Sequence, residues 1–323
     1  MFYPLTFHPI FKERVWGGRN IERLYRKPIP AGVPIGESWE ITDRPEGISV
    51  ISNGALAGMT LRELMLKHRQ EVLGKSAAAS GPFPLLIKIL DATDTLSVQV
   101  HPPAAVAAQL KGEPKTEMWY IADATPEAVL YAGLKQGVTR DEFERRIKDG
   151  SVAECLHRIP VRTGDAMFLP SGRLHAIGAG NVIYEIQQNS DTTYRVFDWN
   201  RAGLDGKPRE LHIEQSLMSI NFQDFEPGLI QSIYSRNPTM KSRYVVDDPL
   251  FRVDAYQVKR GLRWYLRSES MQIIGVLRGA MEIRDGDTGL TLEAGGFCLL
   301  PACLERVTLV ARGQTEYLHV QAN

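Results

Sequence analysis

Residues 162–177 read RTGDAMFLPSGRLHAI, and residues 292–307 read LEAGGFCLLPACLERV. The two stretches align without a gap, Gly164 on Gly295, Leu169 on Leu300 and Pro170 on Pro301. Each has the physical content of a glycine turn, a short apolar strand, and a proline at the strand end, where no ladder donor is needed. A unit of this kind occurring twice points to two related β structures in one chain. They are not equivalent chemically, because His175 of the first copy falls on Arg306 of the second.

Outward from these copies, most apolar runs are short and bounded by Gly, Pro, Asn or Asp. PLLIKIL (84–90), SVQVHP (97–102), MWYIAD (118–123), NVIYEIQ (181–187) and MQIIGVLRG (271–279) are of this type, the pattern of strands in a sandwich or barrel. Helical signals are few. TLRELMLKH follows a Thr60 cap with Glu63 three residues on, a capping-box spacing. TRDEFERRIKDG starts at Thr139, carries Phe143 and Ile147 on one face, and stops at Gly150. LHIEQSLMSI (211–220) is a third helix candidate. The expectation is a mainly β protein of two barrels with a few helical insertions. The polar, proline-containing stretch around 223–240 divides it into units 1–225 and 226–323.

The 323 residues include 38 basic and 38 acidic side chains, with 43% apolar and 24% charged residues. That balance creates no global field for nucleic acid or an anionic membrane, so any anion site must be local. No apolar run is long enough to cross a bilayer, and the N-terminal MFYPLTFHPIFKERVWGG lacks a signal-peptide core. Cys155, Cys298 and Cys303 are odd in number and lack metal-type spacing, which fits reduced thiols in a cytoplasmic protein. The chain is expected to be a monomer or weak homodimer with a small-molecule substrate and no nucleic-acid or membrane partner.

Strand parity then isolates a polar set. In SVQVHP, Ser97, Gln99 and His101 share one face and Val98 and Val100 the other. Burying the polar trio unpaired would cost a few kcal/mol, so it faces something wet or ionic. In KTEMWY, Lys115 and Glu117 share a face, and His175 follows the glycine–strand–proline unit. Imidazole, carboxylate and an amide oxygen suit a divalent metal such as zinc. Two histidines and a carboxylate alone would also fit ferrous iron. His8, His68, His157, His212 and His319 lack such companions and read as ordinary surface or core residues. The segment GDxxxLPxxxxH resembles the second conserved motif of the cupin superfamily.

Taken together, PLLIKILDATDTLSVQVHP (84–102), KTEMWYI (115–121), LPSGRLHAIG (169–178), YEIQQNSDTTYRVFDWNR (184–201), VWGG (15–18) and GESWEI (36–41) resemble the type I mannose-6-phosphate isomerases, in their short bacterial form. The resemblance spans about the first two-thirds of the chain. It implies two cupin-type jelly-roll barrels, with one zinc ion held in the first by Gln99, His101, Glu117 and His175. It implies active-site roles for Lys88, Lys115 and Arg195, a substrate-side Ser97 and an acidic Glu185. Aromatic rings cover apolar sugar faces, which makes Trp16, Trp39 and Trp119 candidate walls of a sugar pocket, though Trp119, alternating with Met118 and Tyr120, reads as core. Where relatives carry acidic residues after the His-Pro pair, this chain has Pro103 and Ala104. The implied reaction interconverts mannose 6-phosphate and fructose 6-phosphate through an enediol. Either Lys115 or Glu185 could be the base. Lys88 in an apolar strand needs a pocket to face, and Arg195 offers a planar fork unless Asp191 or Asp198 pairs with it. Asp91 and Asp94 read as turn residues. Two rival classes are an iron-dependent cupin dioxygenase and a non-catalytic sugar-binding barrel.

Overall fold

The computed structural model describes residues 2–76, 80–267, 269–286 and 288–323. The first half contributes β1 (Ile10–Gly18), β2 (Ile35–Ile41), β3 (Asp43–Arg44), β4 (Gly47–Ile48), β5 (Leu85–Ala92), β6 (Val98–Val100), β7 (Glu117–Ala124), β8 (Val129–Leu134), β9 (Leu156–Pro160), β10 (Ala166–Leu169), β11 (His175–Ile177), β12 (Asn181–Gln188) and β13 (Tyr194–Phe197). The second contributes β14 (Met240–Asp247), β15 (Phe251–Val258), β16 (Arg263–Leu266), β17 (Gln272–Arg278), β18 (Ala280–Asp285), β19 (Thr288–Glu293), β20 (Phe297–Leu300), β21 (Val307–Ala311) and β22 (Thr315–Ala322). Helices α1 (Asn20–Tyr25), α2 (Leu61–Leu73), α3 (Ala104–Ala107), α4 (Arg140–Asp149) and α5 (Ile213–Ser219) decorate this frame, all within the first half.

The strands form a sheet ordered β1-β2-β5-β12-β7-β10 facing one ordered β13-β6-β11-β8-β9, and a sheet ordered β14-β15-β22-β17-β20 facing one ordered β16-β21-β18-β19. Leu90, Trp119 and Ile183 meet Leu130, Ile159 and Ile177 between the first pair, and Ile274, Val276 and Tyr317 meet Ile283, Val307 and Leu309 between the second. The two larger sheets pack back to back. Ile87, Met118 and Tyr184 from one join Val253, Ile273 and Leu318 from the other in a single core, and the Tyr184 hydroxyl crosses it to donate to the Val276 carbonyl at 2.9 Å.

The expected barrels do not close. Each sheet keeps two ends in its hydrogen-bonding order, so the architecture is open antiparallel layers held by side chains rather than a continuous ring of backbone bonds. The repeat, by contrast, is legible in three dimensions. Gly164 and Gly295 both adopt positive φ, 94° and 82°, a conformation glycine reaches without a Cβ clash. The strands that follow, β10 and β20, occupy matching ends of matching orders: β5-β12-β7-β10 and β15-β22-β17-β20.

The helix signals hold. Thr60 and Glu63 form a reciprocal capping box on α2. The Thr139 side chain accepts from the Glu142 N–H to cap α4, which ends at a left-handed Gly150. Phe143 and Ile147 of α4, with Leu217 of α5, cover Val98, Val100 and Val196 on the outer face of the second sheet. One turn reading fails: Asp91 is fully buried on β5 and accepts from the Asn20 backbone N–H at 2.5 Å and its side-chain amide at 2.9 Å. Asp94 does lie in a bend, beside Arg201 at 3.0 Å.

Candidate active site

Strand parity in SVQVHP works as expected. Val98 and Val100 point to the helix-covered face, which turns Gln99 to the opposite side, toward the space between the sheets. Backbone pairing places His175 of β11 opposite Gln99 of β6, and Arg195 of β13 opposite it on the other flank. Glu117 enters from β7 of the facing sheet. The ligand-bearing atoms of His101, Glu117 and His175 all lie within 4.8 Å of one another, and all three residues are buried. His101 Nε2 and His175 Nε2 each approach Glu117 at 3.5 Å, one to each carboxylate oxygen. The Gln99 side-chain amide is 3.3 Å from His175 Nε2.

The donor set fits a divalent cation. His101 Nδ1 is 2.8 Å from the Thr192 carbonyl and His175 Nδ1 is 2.9 Å from the Arg173 carbonyl. A ring nitrogen beside a carbonyl carries the proton, which leaves each Nε2 with its lone pair facing Glu117. His101 Nε2 and Glu117 Oε1 are buried without a hydrogen bond, while Glu117 Oε2 has the Lys115 ammonium 2.9 Å away; the two unpartnered atoms cost a few kcal/mol unless a cation completes them. Burial, then the Lys115 charge, holds the His101 imidazole neutral, its pKa down to about 3, and burial lowers that of His175 as well. Burial works against the Glu117 carboxylate, but Lys115 and then His101 keep it well below the usual range. A carboxylate and two neutral imidazoles are the protonation states a metal requires.

Beside this cluster opens a cleft of about 560 Å³. Gln99, Ser97, Lys115, Lys88, Glu185, Trp16 and Arg195 all line it, so the residues singled out in the sequence converge on one place. Lys115 Nζ lies 2.9 Å from Glu117 Oε2. Lys88 is buried, with Glu185 at 3.4 Å, Asp191 at 3.7 Å and Glu37 at 3.8 Å. Burial opposes its charge, yet Glu185 and then Glu37 raise the Lys88 pKa above the ordinary value. Burial, then the Glu117 charge, raises the Glu185 pKa above the usual carboxylate range, and the Trp119 indole N–H donates to Glu185 Oε2 at 2.9 Å. Trp119 is thus both core and positioning group. Arg195 forms no ion pair with Asp191 or Asp198 among the described residues. Asp191 turns to Lys88, and Asp198 is taken by Arg209 and Arg201. Arg195 donates to the Glu210 carbonyl at 2.8 Å and leaves its Nε buried without an acceptor. Burial, then the neighbouring Arg209, lowers its pKa below the ordinary value; an anion there would relieve both effects.

Four lining residues were missed in the sequence: Arg14, Glu37, Asp191 as a partner of Lys88, and Arg209. Glu37 accepts from Arg14 Nε at 2.7 Å and from the Trp39 indole at 2.6 Å. The signal was the alternation of Glu37 and Trp39 in GESWEI, since a buried Lys88 demands carboxylates on the adjacent strand. Burial opposes the Glu37 charge, but Lys88, then Arg14, lowers its pKa from 4.5 to about 2. A depressed carboxylate stabilises the fold fully above its unfolded value, and the contribution is lost as pH falls toward the folded one. Glu37→Gln should therefore lower stability at neutral pH by on the order of 3 kcal/mol and flatten the acid limb between about pH 4.5 and pH 2. Urea midpoints measured across that range check this; unchanged midpoints would contradict it.

The second half repeats the positions but not the chemistry. Leu169 faces Glu117 across β10 and β7, and Leu300 faces Gln272 across β20 and β17, so Gln272 stands where Glu117 does. By the same register His319 matches Glu185 and Asp254 matches Lys88. These groups satisfy one another or a neighbour: His319 Nε2 meets Gln272 Oε1 at 2.7 Å and Arg252 donates to Asp254 at 2.9 Å. Arg306, at the His175 position, is exposed and stacks over Tyr265.

Comparison with known proteins agrees with the geometry. The family described as "Phosphomannose isomerase type I, catalytic domain" matches residues 5–134. The chain is 36% identical to a mannose-6-phosphate isomerase of Streptococcus mutans over 93% of each chain. It is 35% identical to the mannose-6-phosphate isomerase ManA of Bacillus subtilis over 92% of this chain and 93% of that one. The crystal structure of mannose 6-phosphate isomerase from Bacillus subtilis superposes with a TM-score of 0.90 at 31% identity, covering 99% of both chains.

Proposed function

We propose, since the chain belongs to the type I phosphomannose isomerase family, that its cleft interconverts mannose 6-phosphate and fructose 6-phosphate by proton transfer through an enediol, with one zinc ion held by Gln99, His101, Glu117 and His175. The observation that carries the metal half of this reading is the buried His101, Glu117 and His175 cluster beside the cleft, in which His101 Nε2 and Glu117 Oε1 have no partner. A zinc ion held there would supply Lewis acidity that stabilises negative charge developing on the sugar oxygens. The amide of Gln99, turned to present its oxygen, completes a four-ligand set.

The chain's own groups divide the remaining work. Glu185 moves the proton between C2 and C1: its pKa is raised, and the Trp119 N–H orients one oxygen, leaving the other toward Lys88. Lys115 holds the charge of Glu117 and adds positive potential where the enediolate forms. Arg195, unpaired and backed by Arg209, takes the phosphate dianion. Ser97 and Trp16 shape the sugar end of the cleft. Arg195→Ala should raise KM for mannose 6-phosphate by on the order of 100-fold, with a much smaller effect on any turnover of unphosphorylated mannose. Equal losses on both sugars would instead place Arg195 at the enediolate.

Residues 1–225 then form the catalytic, cupin-type unit and 226–323 its metal-free companion, a division supported by the matching sheet orders. No helix among the described residues is long and apolar enough to cross a membrane. Three free cysteines support a cytoplasmic setting, and the balanced charge supplies no field for nucleic-acid or membrane partners; a monomer or weak homodimer is part of the same proposal. Isomerisation in D2O tests the chemistry: deuterium at C1 of the fructose 6-phosphate is expected, and a product wholly free of deuterium together with an undiminished rate for Glu185→Gln would indicate a hydride shift.

A further inference from the structure

A second cavity, of about 310 Å³, lies where the two halves meet, on the opposite face of β7 from the metal cluster. Three guanidinium groups reach it: Arg162 from the turn before β10, Arg243 from β14 and Arg278 from the end of β17. Arg243 is held rigidly. Its guanidinium lies 5.3 Å from the ring centres of both Tyr120 and Tyr234, and it donates to the Gly164 carbonyl of the other half. Its Nε is nonetheless buried without an acceptor.

Two carboxylates, Asp165 and Glu316, also line the cavity, so one positive charge is left over from the three guanidiniums. Glu316 accepts from the Gln257 amide at 3.4 Å. Asp165 accepts from the Arg162 backbone N–H at 2.9 Å and reaches the Arg162 side chain only at 3.9 Å. Arg278 is exposed and forms no ion pair among the described residues. The Arg243 fork, clamped between two tyrosines and with its Nε unused, and the two exposed guanidiniums of Arg162 and Arg278 surround an open volume.

We propose that this cavity is a second anion site, separate from the catalytic cleft, that takes a dianionic phosphate group. Planar guanidinium forks match phosphate oxygens, and three of them suit a dianion better than a carboxylate. The source of the group is either free phosphate or a small phosphomonoester, for which the cavity has room. An occupant would bridge the halves, because Arg162 belongs to the first and Arg243 and Arg278 to the second.

The test uses the metal-loaded full chain and calorimetric titration with inorganic phosphate and, in parallel, glycerol 3-phosphate. In an Arg195→Ala background, which removes the catalytic anion contact, phosphate binding should persist. Adding Arg162→Gln and Arg278→Gln, both at exposed positions, should weaken it by on the order of 100-fold. The same two substitutions in the otherwise unchanged chain should leave kcat/KM for mannose 6-phosphate within about two-fold. Tighter binding of the ester assigns the site to a metabolite, and tighter binding of phosphate assigns it to the free ion. No phosphate binding in the Arg195→Ala protein, or binding unchanged by the two further substitutions, would overturn the proposal.

Discussion

His101→Ala protein is expected to fold, to hold no zinc at stoichiometric metal, and to isomerise mannose 6-phosphate at least about 1,000-fold more slowly than the unchanged chain. His101 contributes one of two neutral imidazole nitrogens aimed at Glu117. Removing it leaves a weak carboxylate, imidazole and amide set. The Lys115–Glu117 ion pair survives in that variant, so the metal-free protein should lose only the Thr192 hydrogen bond and the packing of the ring, about 1–2 kcal/mol. Glu117→Gln makes a useful contrast. It also loses the metal, but it leaves the buried Lys115 ammonium without its counter-charge, a change of about 3–5 kcal/mol in stability. Metal content by elemental analysis, paired with urea unfolding of the stripped proteins, separates the two. Equal destabilisation by both variants would show that Lys115 does not depend on Glu117.

The second large effect is expected at Glu185. Glu185→Gln keeps the shape and can still accept from the Trp119 indole, but it cannot carry a proton. It should lower kcat by about 100- to 10,000-fold while zinc content and KM stay near those of the unchanged chain. Lys88 loses one carboxylate partner but retains Glu37 and Asp191, so the fold should tolerate the change. Near-full turnover by this variant would transfer the proton step to Lys115, which lines the same cleft.

What could be read in advance followed from rules that are local in sequence. Alternation in SVQVHP needs only the two-residue period of a strand, and it placed Gln99 between the sheets with Val98 and Val100 behind it. The caps at Thr60 and Thr139 need only three or four consecutive residues. The gapless repeat pointed to two related β structures, and β10 and β20 do sit at equivalent sheet ends. The failures share the opposite property. Asp91 looked like a turn residue because its partner, Asn20, is remote in sequence and fills both carboxylate oxygens. The Arg14–Glu37–Lys88 network draws on β1, β2 and β5, and nothing local announces that Arg14 belongs with it. Closure of a barrel depends on how sheet edges meet, which strand patterns do not encode. The alternative weighed for Arg195, an ion pair with Asp191 or Asp198, is absent among the described residues, since Asp191 turns to Lys88 and Asp198 is claimed by Arg201 and Arg209.

The most direct test of the account is a coupled assay for fructose 6-phosphate formed from mannose 6-phosphate, run on protein of known metal content before chelation, after chelation, and after zinc is restored. The account predicts one zinc per chain, turnover lost with the metal from a protein that stays folded, and turnover regained on reloading. Full activity in metal-free protein, or none in protein carrying a full complement of zinc, would contradict it.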